Sequence, residues 1–150
     1  MNNVLMTFLI SMVPVVELRG AIPAGVLAGL DPAFCMLIAI VGNMIPVPFI
    51  IIFVRRIFRW LETKSQWLAR AVAFFENKAE GKKEQVLKYE FWGLMVLVAI
   101  PLPGTGAWTG SLVAAMLDMQ LKRALPSIFV GVVVAGIIVT LTTCGVIAIA

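Results

Sequence analysis

Four long apolar tracts leave little of this chain for anything else: Met1 to Leu30, Ala33 to Val54, Phe91 to Leu117 and Ala124 to Ala150. The second and fourth hold 22 and 27 residues without a charge, and about 20 suffice for a helix to cross the hydrocarbon core of a bilayer. Only 13% of the 150 residues are charged and 61% are hydrophobic, whereas a soluble domain carries roughly a quarter charged residues. The chain is therefore expected to live in a membrane. No Lys or Arg precedes the apolar run from Met1 to Val13 and no clear small-residue cleavage site follows, so that run reads as a mature membrane segment and not a signal peptide. Cys35 and Cys144 both lie in apolar runs, and with no histidine present they offer neither a disulfide framework nor a metal set of ordinary spacing.

Charge placement supplies an orientation. Nine of the twelve basic residues lie between Arg55 and Lys88, two more are Lys122 and Arg123, and the twelfth, Arg19, sits with Glu17 inside the first apolar tract. The first and third tracts are each cut at the middle, by Pro14-Val-Val-Glu-Leu-Arg-Gly-Ala-Ile-Pro23 and by Pro101-Leu-Pro-Gly-Thr-Gly106. Halves of about 10 to 13 residues are too short to span and fit a segment that enters and turns back. If Phe91 to Leu117 doubles back, eleven basic residues face the cytoplasm, as the positive-inside rule prefers. If it crosses, the two basic clusters fall on opposite sides; four plain spans with kinks in two are the alternative. The hairpin reading puts Asp31 and both termini outside.

The halves also resemble one another. Gly20 to Asp31 aligns with Gly106 to Asp118 with one residue inserted, and Val41-Gly42 matches Val130-Gly131. The expected fold is an all-α integral membrane protein of two inverted-topology repeats, each a re-entrant helical hairpin followed by a transmembrane helix. Residues 1–54 form the first repeat, with hairpin 4–30 and transmembrane helix 33–54. Residues 91–150 form the second, with hairpin 91–117 and helix 124–150. Residues 55–90 join them: Trp60, Trp67 and Phe74 recur every seven residues beside Leu61, Leu68 and Phe75, with Arg59, Arg70 and Lys78 among them. That pattern fits a cytoplasmic amphipathic helix on the leaflet surface or a linker helix packed on its own protein, ended near Gly81-Lys82-Lys83.

Ionisable groups within a bilayer cost on the order of 3 kcal/mol on insertion scales and mark function by default. Glu17 and Arg19 are therefore the first candidates, either as a neutralising pair or as a coupling carboxylate beside an anion-holding guanidinium. Gly20 and Pro23 complete that motif. In the second tip, Pro103, Gly104, Thr105, Gly106, Trp108, Thr109 and Gly110 carry no charge, but a half-helix after Gly106 would aim free N–H groups at the midplane, where an anion or a carbonyl could bind. No strand precedes this loop and no Lys-Ser/Thr follows, so it is not a nucleotide loop. Asn43, between Gly42 and Pro46-Val-Pro48, is a polar side chain that should face protein or a cavity, as interhelical glue or as part of the site. Asp31 and Asp118 read as boundary residues.

Glu17-Leu-Arg-Gly-Ala-Ile-Pro23, Gly42-Asn-Met-Ile-Pro-Val-Pro48 and Pro101-Leu-Pro-Gly-Thr-Gly-Ala-Trp-Thr-Gly110, in this order, resemble the small multidrug export protein family of bacteria and archaea. That family in turn is similar to the DedA and VTT membrane proteins, which share paired re-entrant hairpins and include lipid scramblases and carriers of polyprenyl phosphate. The resemblance implies a multi-pass protein of the inner or plasma membrane that exports a small or lipidic solute. Glu17 offers coupling by H+ or Na+, and the site would lie at the midplane between the hairpin tips. Translocation of anionic lipid is the first alternative and a scaffold acting through the surface helix the second. No nucleophile, base and orienting residue form a workable set, so no enzyme, cofactor or metal is expected, and no nucleic acid partner. The expected partners are membrane lipid, the solute, and further copies in a homodimer or larger assembly, with Gly131, Ala135 and Gly136 as contacts.

Overall fold

The computed structural model describes residues 2–67, 69–71, 73–74 and 83–150, and among these there are helices and turns but no strand. The helices are α1 (Asn3–Met12), α2 (Glu17–Leu27), α3 (Pro32–Met44), α4 (Pro46–Lys64), α5 (Lys83–Ala99), α6 (Ala107–Met116) and α7 (Leu121–Ile149). Asn2 caps α1 by accepting from Val4 N, and Asp31 caps α3 by accepting from Phe34 N at 3.0 Å, with Pro32 at the first helical position.

Lengths set three short helices apart from two long stretches, with α5, at 17 residues, between them. At 1.5 Å per residue, α1, α2 and α6, with 10, 11 and 10 residues, reach only about 15 to 17 Å, roughly half of a hydrocarbon core. Pro32–Lys64 and Leu121–Ile149, at 33 and 29 residues, are long and apolar enough to cross one. Only 33% and 22% of their most apolar windows are buried within the protein, where the core helix of a soluble protein would be mostly covered. Phe49, Phe53, Leu37, Leu141 and Val146, each more than half exposed, display the surplus, which belongs against lipid.

The short helices run back on their neighbours. Asn3 Nδ2 donates to Ala28 O at 2.9 Å, so the start of α1 sits beside the end of α2. Both α1 and α2 pack on α3, while α5 packs along α7. Two glycines let one helix approach the backbone of another. A Cβ on Gly42 would collide with Ser11 Oγ and stand 2.8 Å from Phe8 O; one on Gly131 would stand 2.7 Å from both Met95 O and Val98 Cβ. On helix propensity alone, Gly→Ala should stabilise by up to about 1 kcal/mol. Here Gly42→Ala and Gly131→Ala are each expected to lower the unfolding free energy by about 2 kcal/mol through overpacking, and denaturation in mixed micelles reads the sign directly.

Several boundaries depart from those expected. Pro23 does not interrupt the first tract: α2 runs through it, because a helix can lose one N–H bond, here the one to Arg19 O, where packing holds the turn. The break is confined to Val13–Val16. The first long span is a helix pair, with Ile45 helical (φ −59, ψ −49) between α3 and α4, and it runs on to Lys64 instead of ending at 54. Ser65, extended at φ −125 and ψ 112, stops it. Lys64 Nζ lies 4.9 Å over the Trp60 ring. Trp67 and Phe74 are helical and exposed; Leu68, Phe75, Lys78 and the expected end at Gly81-Lys82 lie outside the described residues, and Lys83 opens α5. Gly131, Ala135 and Gly136, expected between copies, are buried within the chain, Gly136 against Met36 and Ile40.

Candidate functional site

The two interruptions meet. The first loop, Val13 to Val16, leads into Glu17, and the second, Ile100 to Gly106, leads into α6. Their backbones share a signature: φ is positive at Val15 (78°), Glu17 (49°) and Gly29 (90°), and again at Gly104 (83°), Gly106 (126°) and Asp118 (50°), each pair 89 residues apart (15/104, 17/106, 29/118). Glycine adopts this region freely; a valine or glutamate there is strained by about 1 to 3 kcal/mol and needs surroundings that hold it. The end turns match in hydrogen bonding as well, Gly29 N to Val26 O and Leu30 N to Gly25 O in one, Asp118 N to Ala115 O and Met119 N to Ala114 O in the other. Geometry thus matches Asp118 with Gly29, not with Asp31 as in the sequence alignment, and needs no insertion.

Glu17 is 3% exposed, and its Oε1 accepts from Trp108 N at 3.1 Å, in the first turn of α6. Gly106, the cap residue of α6, contributes no side-chain bond. The glutamate therefore supplies from the other loop the acceptor and negative charge that a helix N-terminus favours. The space that sequence reasoning reserved for a bound anion is taken by the protein's own carboxylate. Gly106 must be glycine for this, since a Cβ there would overlap Glu17 Oε2.

Arg19 reaches the same loop from the first turn of α2. It donates to Leu102 O, to Ile100 O at 3.0 Å and to Thr105 Oγ1 at 2.9 Å. Thr105 passes its own hydroxyl proton to Ile100 O or Leu102 O, at 2.7 and 2.8 Å. No ion pair closes directly between Glu17 and Arg19 among the described residues; each binds the second loop instead. The carbonyl receptor at Ile100 and Leu102 was missed in the sequence. Its signal is Pro101-Leu-Pro103, which stops α5 and leaves those carbonyls outside the helical ladder.

Beneath the contact lies a crevice too narrow to admit a water molecule, lined by Glu17, Leu18 and Asn43 on one side and Gly106, Ala107 and Val132 on the other. These again pair at 89 residues (17/106, 18/107, 43/132). Every charged or amide side chain in the crevice belongs to the first half; the second contributes backbone and apolar surface. Asn43 is fully buried, and neither its Oδ1 nor its Nδ2 has a partner. Buried hydroxyls elsewhere are satisfied, Ser11 on Phe8 O, Ser111 on Ala107 O and Ser127 on Phe91 O. An unpaired buried amide costs about 1 to 3 kcal/mol.

The other candidate positions divide. Gly20 lies half-buried in α2, and Pro23 lies in α2 away from the crevice, in a groove with Thr143. Pro103 and Gly104 are exposed on the second loop, and Thr109 donates to Gly104 O at 2.8 Å, bracing it. Trp108 Nε1 is buried without a partner. Gly110 is a packing glycine, where a Cβ would come within 2.5 Å of Val98. Among the described residues no group of His, Cys, Asp and Glu could hold a metal, and Cys35 and Cys144 are free.

Comparison with known proteins adds one match: residues 17–138 fit the family described as "Putative small multi-drug export protein". The match begins at Glu17, directly after the first loop, and takes in the second loop, the crevice and most of α7. No curated protein and no solved structure matches the chain.

Proposed function

The chain belongs to the small multi-drug export protein family, and from that premise we propose that it is a membrane exporter of a small organic or lipidic solute, coupled to an ion through Glu17. The observation that carries this reading is the Glu17 carboxylate docked on the first turn of α6 beside the unpartnered amide of Asn43. In the ionised form Glu17 makes a charge-assisted bond to a helix N-terminus and holds the two loops together. Protonation, or capture by a cation, removes the charge that this bond requires. The contact is then weakened by the worth of a charged hydrogen bond, about 1.5 to 3 kcal/mol, and the loops can part around a solute. Asn43, with donor and acceptor both unspent, is placed to receive the released carboxyl or the polar end of the solute.

The proposed setting is a pair of re-entrant hairpins, 4–30 and 91–117, whose tips meet at the bilayer midplane, with residues 55–90 cytoplasmic and both termini outside. The shortness of α1, α2 and α6 supports it, and so does the Asn3–Ala28 bond at the base of the first hairpin. The recurrence of three positive-φ positions at one spacing supports a pair of inverted repeats, whose sites in secondary transporters lie at the repeat interface between broken helices. Translocation of an anionic lipid would need Arg19 as the phosphate ligand, and its bonds to Ile100, Leu102 and Thr105 leave that reading second.

Efflux of ethidium from proteoliposomes under an imposed proton or sodium gradient tests the proposal. Wild-type flux is expected to follow one of the gradients, and Glu17→Gln, which keeps the shape and loses the charge, to abolish that dependence while remaining folded. Gradient-dependent flux in Glu17→Gln equal to wild type would remove Glu17 from coupling.

A further inference from the structure

If the halves correspond at 89 residues, α4 against α6 at one end of the molecule has its counterpart in α7 against α2 at the other. The two ends are not alike. Arg55, on α4, pairs with Asp118 Oδ1 at 3.1 Å and donates to Met119 O, so that α4 is fastened to the turn that ends α6. Met119 beneath this contact is 2% exposed. The corresponding residues at the other end are Cys144 and Gly29 (55/144, 29/118), which can form no such pair. There α7 packs on α2 over part of its length and leaves a groove of about 310 Å³, lined by Pro23, Leu27, Thr142, Thr143, Val146 and Ile147. The Thr142 and Thr143 hydroxyls are spent on Val139 O at 2.9 and 2.7 Å, so the groove wall offers hydrocarbon and no free donor. Among the described residues no polar contact fastens α7 to α2, whereas an ion pair between a largely covered Arg55 and an exposed Asp118 fastens α4 to α6.

We propose that Arg55 and Asp118 are gate residues, and that this structure is the state fastened at the α4–α6 end and loosened at the α2–α7 end, with the crevice between them still closed. In the alternate state α7 closes on α2 and fills the groove, while Arg55 and Asp118 part. The inference rests on the exporter reading above, since a midplane site serves transport only if it is uncovered to one side at a time. It adds to that reading two residues remote from the crevice and assigns the groove's occupant as α7 itself.

The test uses the full chain in lipid nanodiscs, where both faces are accessible, with Cys35→Ala and Cys144→Ser removing the native thiols. Single reporters Met119→Cys and Thr143→Cys are labelled with a charged maleimide, with no solute present. Asp118→Asn is expected to speed labelling at Met119→Cys about three- to fivefold, the size of an equilibrium shift worth one such ion pair. Labelling at Thr143→Cys should slow at the same time, by less, because the state loosened at the α2–α7 end is the majority to begin with. The swap Arg55→Asp with Asp118→Arg should return both rates to wild type. A rise at Met119→Cys without the fall at Thr143→Cys would mean local loosening, and that result, or no change at either reporter, overturns the gate. Should Asp118→Asn not fold, Arg55→Gln carries the same comparison. The outcome is independent of Glu17: loss of coupled efflux in Glu17→Gln together with failed reciprocity here would retain the exporter and discard the gate.

Discussion

Gly106→Ala is expected to lower the unfolding free energy by about 3 kcal/mol or more and to dislodge Glu17 from α6. Two costs coincide at this residue. Its φ of 126° and ψ of −166° lie in a region essentially restricted to glycine, worth about 1 to 3 kcal/mol to any other residue. A Cβ there would also overlap the Glu17 carboxylate, and overpacking adds about 1 to 3 kcal/mol. The combination with Glu17→Ala separates them: removing the carboxylate should recover the steric part and leave the backbone part. Denaturation in mixed micelles measures both variants. A loss below 1 kcal/mol for Gly106→Ala would mean that the loops do not meet as described.

Asn43→Leu should move stability and function in opposite directions. The side chain is fully buried with both polar atoms unpartnered, so an apolar residue of similar size removes an unpaid desolvation and is expected to stabilise by about 1 to 2 kcal/mol. Coupled efflux should nevertheless fall at least about tenfold, because the unpartnered side-chain amide of the crevice is gone; that factor corresponds to about 1.4 kcal/mol of lost differential binding. Were Asn43 merely interhelical glue, the same substitution would lower stability and leave any surviving flux in proportion to folded protein.

The sequence carried the broad features well because they are one-dimensional. Apolar length marked the long helices, Pro14 marked the loop at Val13–Val16, and Pro101, Pro103, Gly104 and Gly106 marked the loop at Ile100–Gly106. Glu17 and Arg19 stood out because a charge in an apolar tract is expensive wherever the chain folds. Their partners could not be read in the same way. Ile100 and Leu102 bind Arg19 through carbonyls that every residue possesses, and Trp108 binds Glu17 through its amide and not its indole. The alignment of the halves set Asp118 against Asp31 as a like residue, while positive φ recurs at Gly29 and Asp118, a correspondence that residue identity conceals. Gly131 and Gly136 read as contacts between copies because small residues favour any close approach, and the neighbours that use them, α5 and α3, are distant in sequence.

The central claim, that both loops come together in the middle of the bilayer, is tested most directly by depth. Spin labels at Val15 and Leu102, both exposed residues on the two loops, report their distance from the headgroups through the balance of collisions with oxygen and with a water-soluble nickel chelate. Both labels are expected near the centre, about 15 Å from either headgroup level in a core of about 30 Å. A label at either headgroup level, or the two at opposite surfaces, would contradict the account.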